Sequence, residues 1–265
     1  MLSTATLLTS YNKIMMTRVK TQDEIAAMRE SGRMTAAVLQ LLKSRLEPGM
    51  TTKDLANIAA QEVENYGVKA PFLGYQGFPD VICISINDEV VHGIPREDRI
   101  IQDGDIVSLD FGINYRGMIT DSAISVIAGK PKQKRHLQLV QRTEQALTAG
   151  IMAVHDRVRT GDIAAAVQAE LEHAKYGIVQ DLVGHGVGHE LHEDPNIPNY
   201  GRANTGPWLD KNMTIAIEPM ATLGSERVYV AADDWTVLTY DGSWAAHFEH
   251  TILITDDGAE ILTQI

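Results

Sequence analysis

The sequence predicts an α/β protein made of one domain with a duplicated unit, and three observations lead there. Capped helical stretches alternate with strand-like ones. The order helix, helix, Tyr-Gly, strand, His-x-x-Pro occurs twice. After each occurrence, an otherwise apolar strand ends in a carboxylate. The 265 residues are enough for one large domain or two small ones with a substantial core, and 44 % hydrophobic with 22 % charged content suits a globular chain. A net charge of −12 argues against a general binder of nucleic acid or anionic membrane, since both need a basic face. One cysteine, Cys83, excludes an internal disulfide and fits a reducing compartment, so a cytoplasmic location is expected. No apolar run approaches the length that spans a bilayer.

Residues 1–20 contain no acidic residue, several Ser and Thr, and a basic end. Their apolar stretch is too broken for a secretory signal. The composition is compatible with a short organellar transit peptide. The reading adopted is a flexible tail ahead of an internal start near Met15 or Met16, with a single domain over 21–265.

The elements follow in order. Thr21-Gln-Asp-Glu24 has the capping-box form, and Ile25, Met28, Leu39, Leu42 and Leu46 continue at helical spacing until Pro48-Gly49. A second helix is expected from about Thr52 to Tyr66-Gly67, where glycine suits a left-handed cap. Strand-like segments follow, including ICISI (82–86), then VVHGIP with His92 and Pro95. In the second half, Val140, Leu147, Ile151, Val154 and Val158 mark a long helix, and a shorter one from Asp162 ends at Tyr176-Gly177. Strand-like residues and LHEDP, with His192 and Pro195, come next. DIVSLD then corresponds to MTIAIE, ending in Asp110 and Glu218 respectively. The offsets between matched features are uneven, so this is a duplicated α/β unit with unequal loops and not a short-period array. A shared active site is expected on the pseudo-two-fold axis.

The carboxylates carry the chemistry. Two strand-like runs flank Asn114-Tyr-Arg-Gly117, a hairpin turn. Centred between Tyr115 and Arg116, that turn puts Asp110 directly opposite Asp121. Glu218 and Glu249 form a similar pair around a second expected hairpin turn, Tyr240-Asp-Gly-Ser243. A single such residue reads as solvent-facing. Four on core-like strands do not, because buried charges must be paired or metal-bound. An oxygen-rich set favours Mn²⁺, Fe²⁺ or Co²⁺ over a structural zinc cage, and four carboxylates point to two ions about 3.5–4 Å apart.

GHGVGHELHEDP (184–195) holds three histidines. It is not the HExxH zinc motif, and Gly184, Gly186 and Gly188 would weaken a helix there. An extended, glycine-loosened strand is expected, one that lets backbone or substrate approach closely. His185 and His189 would then share a face and His192 would point away unless a bulge intervenes, so one ion shared by all three histidines is not expected.

HGIP, LD at Asp110, TD at Asp121, GHGVGHELHEDP, TIAIEPM and FEHTILIT together resemble the type I methionine aminopeptidases, from about Thr21 to Ile265. The resemblance implies the pita-bread fold: a curved antiparallel sheet with helices on its outer face. It also implies that Asp110, Asp121, His185, Glu218 and Glu249 hold two divalent ions (Co²⁺, Mn²⁺, Fe²⁺ or Zn²⁺), with Asp121 and Glu249 bridging. His192 then contacts the substrate carbonyl, His92 lies near the scissile amide, and Glu218 is the general base for attack by metal-activated hydroxide. His189 stands where the family has no ligand and is read as a supporting or structural residue. Tyr75, Phe78, Cys83 and Trp235 would build the methionine slot. Phe72 stands where cysteine is common and Leu191 where phenylalanine is common, which puts inhibitor profile and second-residue tolerance in question.

The implied reaction is removal of N-terminal methionine from nascent chains with a small second residue, by a monomer. Transient ribosome association is compatible with that substrate, although no motif carries it. Prolidase and aminopeptidase P share the metal set but usually carry an extra N-terminal domain. Type II enzymes carry a long insertion where His192 and Glu218 here lie close in sequence, and no Cys/His-rich zinc extension is present. A non-catalytic binder that keeps the fold remains the alternative of another class.

Overall fold

The computed structural model describes residues 16–265. Four helices are α1 (Gln22–Arg45), α2 (Thr52–Tyr66), α3 (Lys134–Met152) and α4 (Thr160–His173). The strands in chain order are β1 (Ile82–Ile86), β2 (Glu89–Val91), β3 (Ile106–Tyr115), β4 (Met118–Ile127), β5 (Val158–Arg159), β6 (Gly177–Ile178), β7 (Gly184–Gly186), β8 (Glu193–Ile197), β9 (Trp208–Leu209), β10 (Thr214–Ile217), β11 (Met220–Thr222), β12 (Val228–Val230), β13 (Val237–Thr239), β14 (Ala245–His247), β15 (Glu249–Ile254) and β16 (Ala259–Ile261).

The main sheet has eight strands in the order β1-β3-β4-β15-β10-β7-β8, with β16 also on β15, and every pairing in it is antiparallel. β1-β3-β4 comes from the first half and β7-β10-β15 from the second, so the two triplets meet at the β4·β15 seam. Each half has its own core. Leu39, Leu42, Leu55 and Ala59 of α1 and α2 pack on Ile82, Ile84, Val107, Leu109 and Phe111. Leu139, Leu147, Ile163 and Val167 of α3 and α4 pack on Ile215, Ile217, Ile252 and Ile254. Along β3 the odd positions face the helices, which leaves Ser108 and Asp110 on the other side. The expected duplicated α/β architecture is present, with the seam as its axis.

Local signals hold at the first two helices. Thr21 Oγ1 accepts the Glu24 N–H, and the Thr21 N–H donates to Glu24 Oε2 at 2.7 Å. Gly67 caps α2 at φ 64°. The third helix is shorter than expected: Val154 and Val158 are buried but lie beyond it. The fourth starts two residues early because Asp162 is the carboxylate that reaches back to the Arg159 N–H, not the first helical residue.

Two expectations are corrected. Of the segment read as a tail, residues 1–15 lie outside the described residues, but Met16–Lys20 is held on the fold by Thr17 and Lys20, while Met16, Arg18 and Val19 are exposed. Met16 bridges Asp194; Thr17, bonded to the carbonyl of Thr214, and Lys20, paired with the buried Glu193, are each 2 % exposed. Tyr240–Ser243 does form a turn, but it joins β13 to β14, which belong to different sheets. The strand carrying Glu249 instead pairs directly with β10, Ile217 opposite His250. Asp241 ties the turn to a neighbouring loop by accepting the N–H groups of Ser225 and Ser243. Among the described residues, no helix is long and apolar enough to cross a membrane.

Candidate active site

The β3–β4 hairpin sets the first pair of carboxylates. Its two-residue turn is Arg116-Gly117, at φ 53° and 84°, with Tyr115 opposite Met118. Both central residues of such a turn need positive φ, and glycine meets that need at the second position, so the turn centres one residue later than expected. Asn114 Oδ1 accepts the Gly117 N–H at 3.0 Å and secures it. Asp110 therefore faces Ala123 and Asp121 faces Gly112; the two aspartates are diagonal neighbours on one face, not directly opposed. Cys83 lies across from Asp110 on the other side. Glu249 also pairs with Ala123, from β15, so the seam brings Asp121 and Glu249 together. Thr251 locks that seam by bonding both the N–H and the carbonyl of Asp121, at 2.9 and 2.8 Å.

The glycine-rich segment supplies the nitrogen. β7 is only Gly184–Gly186, and a Cβ on Gly184 would lie 2.3 Å from the carbonyl oxygen of Ala216, so the expected close backbone approach is present. His185 Nδ1 lies 2.9 Å from the carbonyl oxygen of Gly186. That carbonyl can only accept, so Nδ1 carries the proton and Nε2 offers a lone pair. Burial pushes this histidine down to about 4, which keeps it neutral. Its Nε2 is 3.4 Å from Glu218 Oε1.

The expected sharing of faces by the histidines is reversed. The chain leaves the strand after Gly186 and turns at Gly188, φ 146°, so His192 returns beside His185 with ring centroids 4.3 Å apart. His189 points away and places Nε2 2.7 Å from Glu24 Oε1.

The carboxylates are poised for cations. Ligand atoms of Asp121, His185 and Glu249, all buried, lie within 4.8 Å of one another. Asp110 Oδ1, Asp121 Oδ1 and Glu249 Oε1 are buried with no hydrogen-bond partner. Burial pushes Asp121 up to about 7. Burial, followed by the charges of neighbouring carboxylates, raises Asp110, Glu218 and Glu249 well above the usual range. Orphaned acceptors crowded in this way fit divalent cations, which remove both the repulsion and the missing bonds.

The residues assigned to metal, catalysis or substrate in the sequence line one cavity of about 590 Å³: the five prospective ligands, His92, His192, Tyr75, Phe78, Cys83 and Trp235. Phe72, Phe78, Cys83 and Leu191 form an apolar wall with Tyr75 and Trp235 packed on it, and Phe78 meets Trp235 edge-on at 5.1 Å. The two departures, Phe72 and Leu191, belong to the same wall. His92 sits at φ 59° with its ring 6.3 Å from that of Trp235, and burial lowers its pKa to about 4.

Sequence reasoning missed His247. It is 2 % exposed, neither ring nitrogen has a hydrogen-bond partner, and Nε2 lies 3.7 Å from Glu218 Oε2. Its backbone is bonded to Ser125 in both directions. Its place two positions before Glu249 was the available signal, since alternate residues of an extended segment share a face.

The description of metallopeptidase family M24 matches residues 26–256. Methionine aminopeptidase of Mycoplasma capricolum is 44 % identical over 249 residues, which is 94 % of this chain and 99 % of that protein. Methionine aminopeptidase 1 of Bacillus subtilis is 44 % identical over 246 residues, 93 % of this chain and 98 % of that one. The crystal structure of methionine aminopeptidase from Thermotoga maritima superposes with a TM-score of 0.92 at 44 % identity, covering 94 % of this chain and all of that one.

Proposed function

The chain belongs to metallopeptidase family M24, and from that premise we infer that it is a metal-dependent aminopeptidase that removes the N-terminal methionine of polypeptides with a small second residue. The observation that supports this reading most strongly is the buried Asp121–His185–Glu249 group in a cavity with an apolar wall beside it. Asp110, Asp121, His185, Glu218 and Glu249 would hold divalent metal, with Asp121 and Glu249 as the shared pair. The carboxylate excess favours two ions, and one nitrogen among oxygens suits Mn²⁺, Fe²⁺ or Co²⁺, with Zn²⁺ also accommodated. Bound divalent ions lower the pKa of water and polarise a carbonyl oxygen.

The chain's own groups divide the remaining work. Glu218, with His185 and His247 beside its two oxygens, would take the proton of the attacking water as general base. His192 would donate a hydrogen bond to the carbonyl oxygen as charge develops there, and His92 would stabilise the leaving amide. Tyr75, Phe78, Cys83 and Trp235 exclude water from the methionine side chain and fix its reach. Nascent chains are the natural source of such substrates, acted on by a monomer in the cytoplasm, with only transient ribosome contact.

The test uses metal-stripped protein with Met-Ala-Ser and Ala-Pro-Phe peptides, with Co²⁺ or Mn²⁺ added to each. Metal-dependent release of methionine from the first alone is expected. Cleavage before proline would move the assignment to the X-Pro peptidases, and no cleavage despite bound metal would favour a binding protein.

A further inference from the structure

His192 sits at the end of a turn that two buried charges hold closed. Glu193, the next residue, is 2 % exposed, and its Oε1 accepts the N–H groups of His189 at 2.8 Å and Glu190 at 3.1 Å. Its Oε2 faces Lys20 Nζ at 3.3 Å. The lysine side chain is wholly buried, and Nζ also donates to Thr17 Oγ1 and to the carbonyl of Arg18, each at 3.0 Å. Thr17 in turn donates to the carbonyl of Thr214 in the main sheet at 3.1 Å. A Cβ on Gly188 would lie 2.6 Å from Lys20 Cε, so the turn and the lysine are packed against each other. On the outer side, His189 is fastened to Glu24 in the first turn of α1.

Stability alone is a weak reason to keep this pair. Replacing a buried ion pair by apolar groups is often neutral or stabilising, whereas removing one partner is costly. Lys20 does not line the cavity, and Glu193, which does, has both carboxylate oxygens engaged, Oε1 with the His189 and Glu190 N–H groups and Oε2 with Lys20. What they share is the turn that ends at His192.

We propose that the Lys20–Glu193 ion pair is a positioning device: it anchors the Gly188–Glu193 turn to the Thr17–Lys20 segment and so fixes where the His192 imidazole meets the substrate carbonyl. This rests on the functional reading above for the role of His192. With Lys20→Met, Glu193 is left buried and unpaired; it turns toward solvent and gives up its two N–H bonds, so the turn loosens. With Glu193→Gln, Lys20 loses its counter-charge and the fold is destabilised, but Lys20 keeps its two other acceptors and Oε1 still accepts both N–H bonds, so in the folded protein the turn stays closed. A purely structural pair would not show this asymmetry.

The experiment uses the full chain loaded with Mn²⁺ and compares Lys20→Met, Glu193→Gln and the double variant. It measures kcat, KM for Met-Ala-Ser, metal affinity by calorimetry, and the ¹⁵N resonances of the His192 ring. In Lys20→Met, a misplaced group acting in the transition state should cost about 100-fold in kcat, with KM within about threefold of wild type and metal affinity unchanged. The His192 resonances should move toward those of a free imidazole. Glu193→Gln and the double variant, which bury no unpaired carboxylate, should stay within about tenfold of wild-type kcat. Should Lys20→Met not fold, Glu193→Ala against Glu193→Gln repeats the comparison, with the loss expected for Ala only. Wild-type kcat and resonances in Lys20→Met would overturn the proposal, as would losses that follow metal affinity or folded fraction. A metal-loaded wild type that releases no methionine would contradict the functional reading instead, while the ring resonances would still report on the positioning.

Discussion

The Tyr75 hydroxyl lies 2.8 Å from Nδ1 of His192, and the two rings are 5.3 Å apart. Burial, followed by the nearby His185 and His92, holds His192 well below its ordinary pKa, so the imidazole is neutral and its single proton has a choice of nitrogen. When the tyrosine O–H donates to Nδ1, that proton sits on Nε2, the nitrogen left to donate to a developing oxyanion. A residue read from the sequence as a wall of the methionine slot thus acquires a second task.

Tyr75→Phe tests that task, because the ring stays in the slot and only the hydroxyl goes. Turnover of Met-Ala-Ser should fall about 10- to 100-fold, the scale on which such outer hydrogen-bond partners act, with KM little changed. Steady-state kinetics on the metal-loaded enzyme measures both. An equal rise in KM would return Tyr75 to a purely binding role.

His247 faces Oε2 of Glu218, whereas His185 faces Oε1. His247→Leu keeps the bulk but removes the nitrogen, and metal affinity should fall about 10- to 100-fold. His247→Gln, which retains a donor, should lose less. Isothermal calorimetry with Mn²⁺ gives the answer independently of turnover.

Metal binding should expel protons. Burial lifts Asp121 from 3.8 to about 7 and raises Asp110, Glu218 and Glu249 as well, so the metal-free site holds protons that cations displace. The sign for stability follows. Between the unfolded and folded values these four carboxyls bind more protons in the native state than in the unfolded one, so their contribution to metal-free stability falls as pH rises from about 4 toward 7, while the buried, neutral His92, His185 and His192 contribute in the opposite sense. The stabilisation by Mn²⁺ should therefore grow over the same range. Melting curves with and without chelator, together with calorimetry in two buffers of different ionisation enthalpy, check both statements.

Glu24 works in the opposite sense. The Thr21 N–H first, and His189 second, hold it down at about 2. A depressed acid contributes stability above its unfolded value, about 4.5, and loses it as pH falls toward 2. Glu24→Gln, which preserves the capping hydrogen bond, should cost about 0.3–1 kcal/mol at pH 7. That gap should close between about pH 5 and 2 in denaturant titrations.

How much of this was legible depends on the range of the interaction. The capping box at Thr21 and Glu24 and the left-handed cap at Gly67 are local statements, and they stand in the structure as read. The turn after Asn114 was misplaced by one residue because two candidate pairs differ only in which offers glycine at a left-handed position. The partner of the Tyr240–Ser243 turn could not be read, since sheet membership is decided by strands far apart in sequence. An unbroken strand through 184–192 aims His192 away from His185, and the turn at Gly188, where φ is 146°, brings it back. Lys20 looked like part of a basic tail, because its partner Glu193 is 173 positions away.

The most direct measurement is anomalous diffraction at the manganese edge from crystals of the Mn²⁺-loaded full chain. The expected result is density in coordination contact with Asp121, His185 and Glu249, extending to Asp110 and Glu218, at the floor of the Tyr75–Phe78–Trp235 cavity. Manganese bound elsewhere, or a cluster that stays empty at saturating Mn²⁺, would contradict the assignment of these residues as the metal centre.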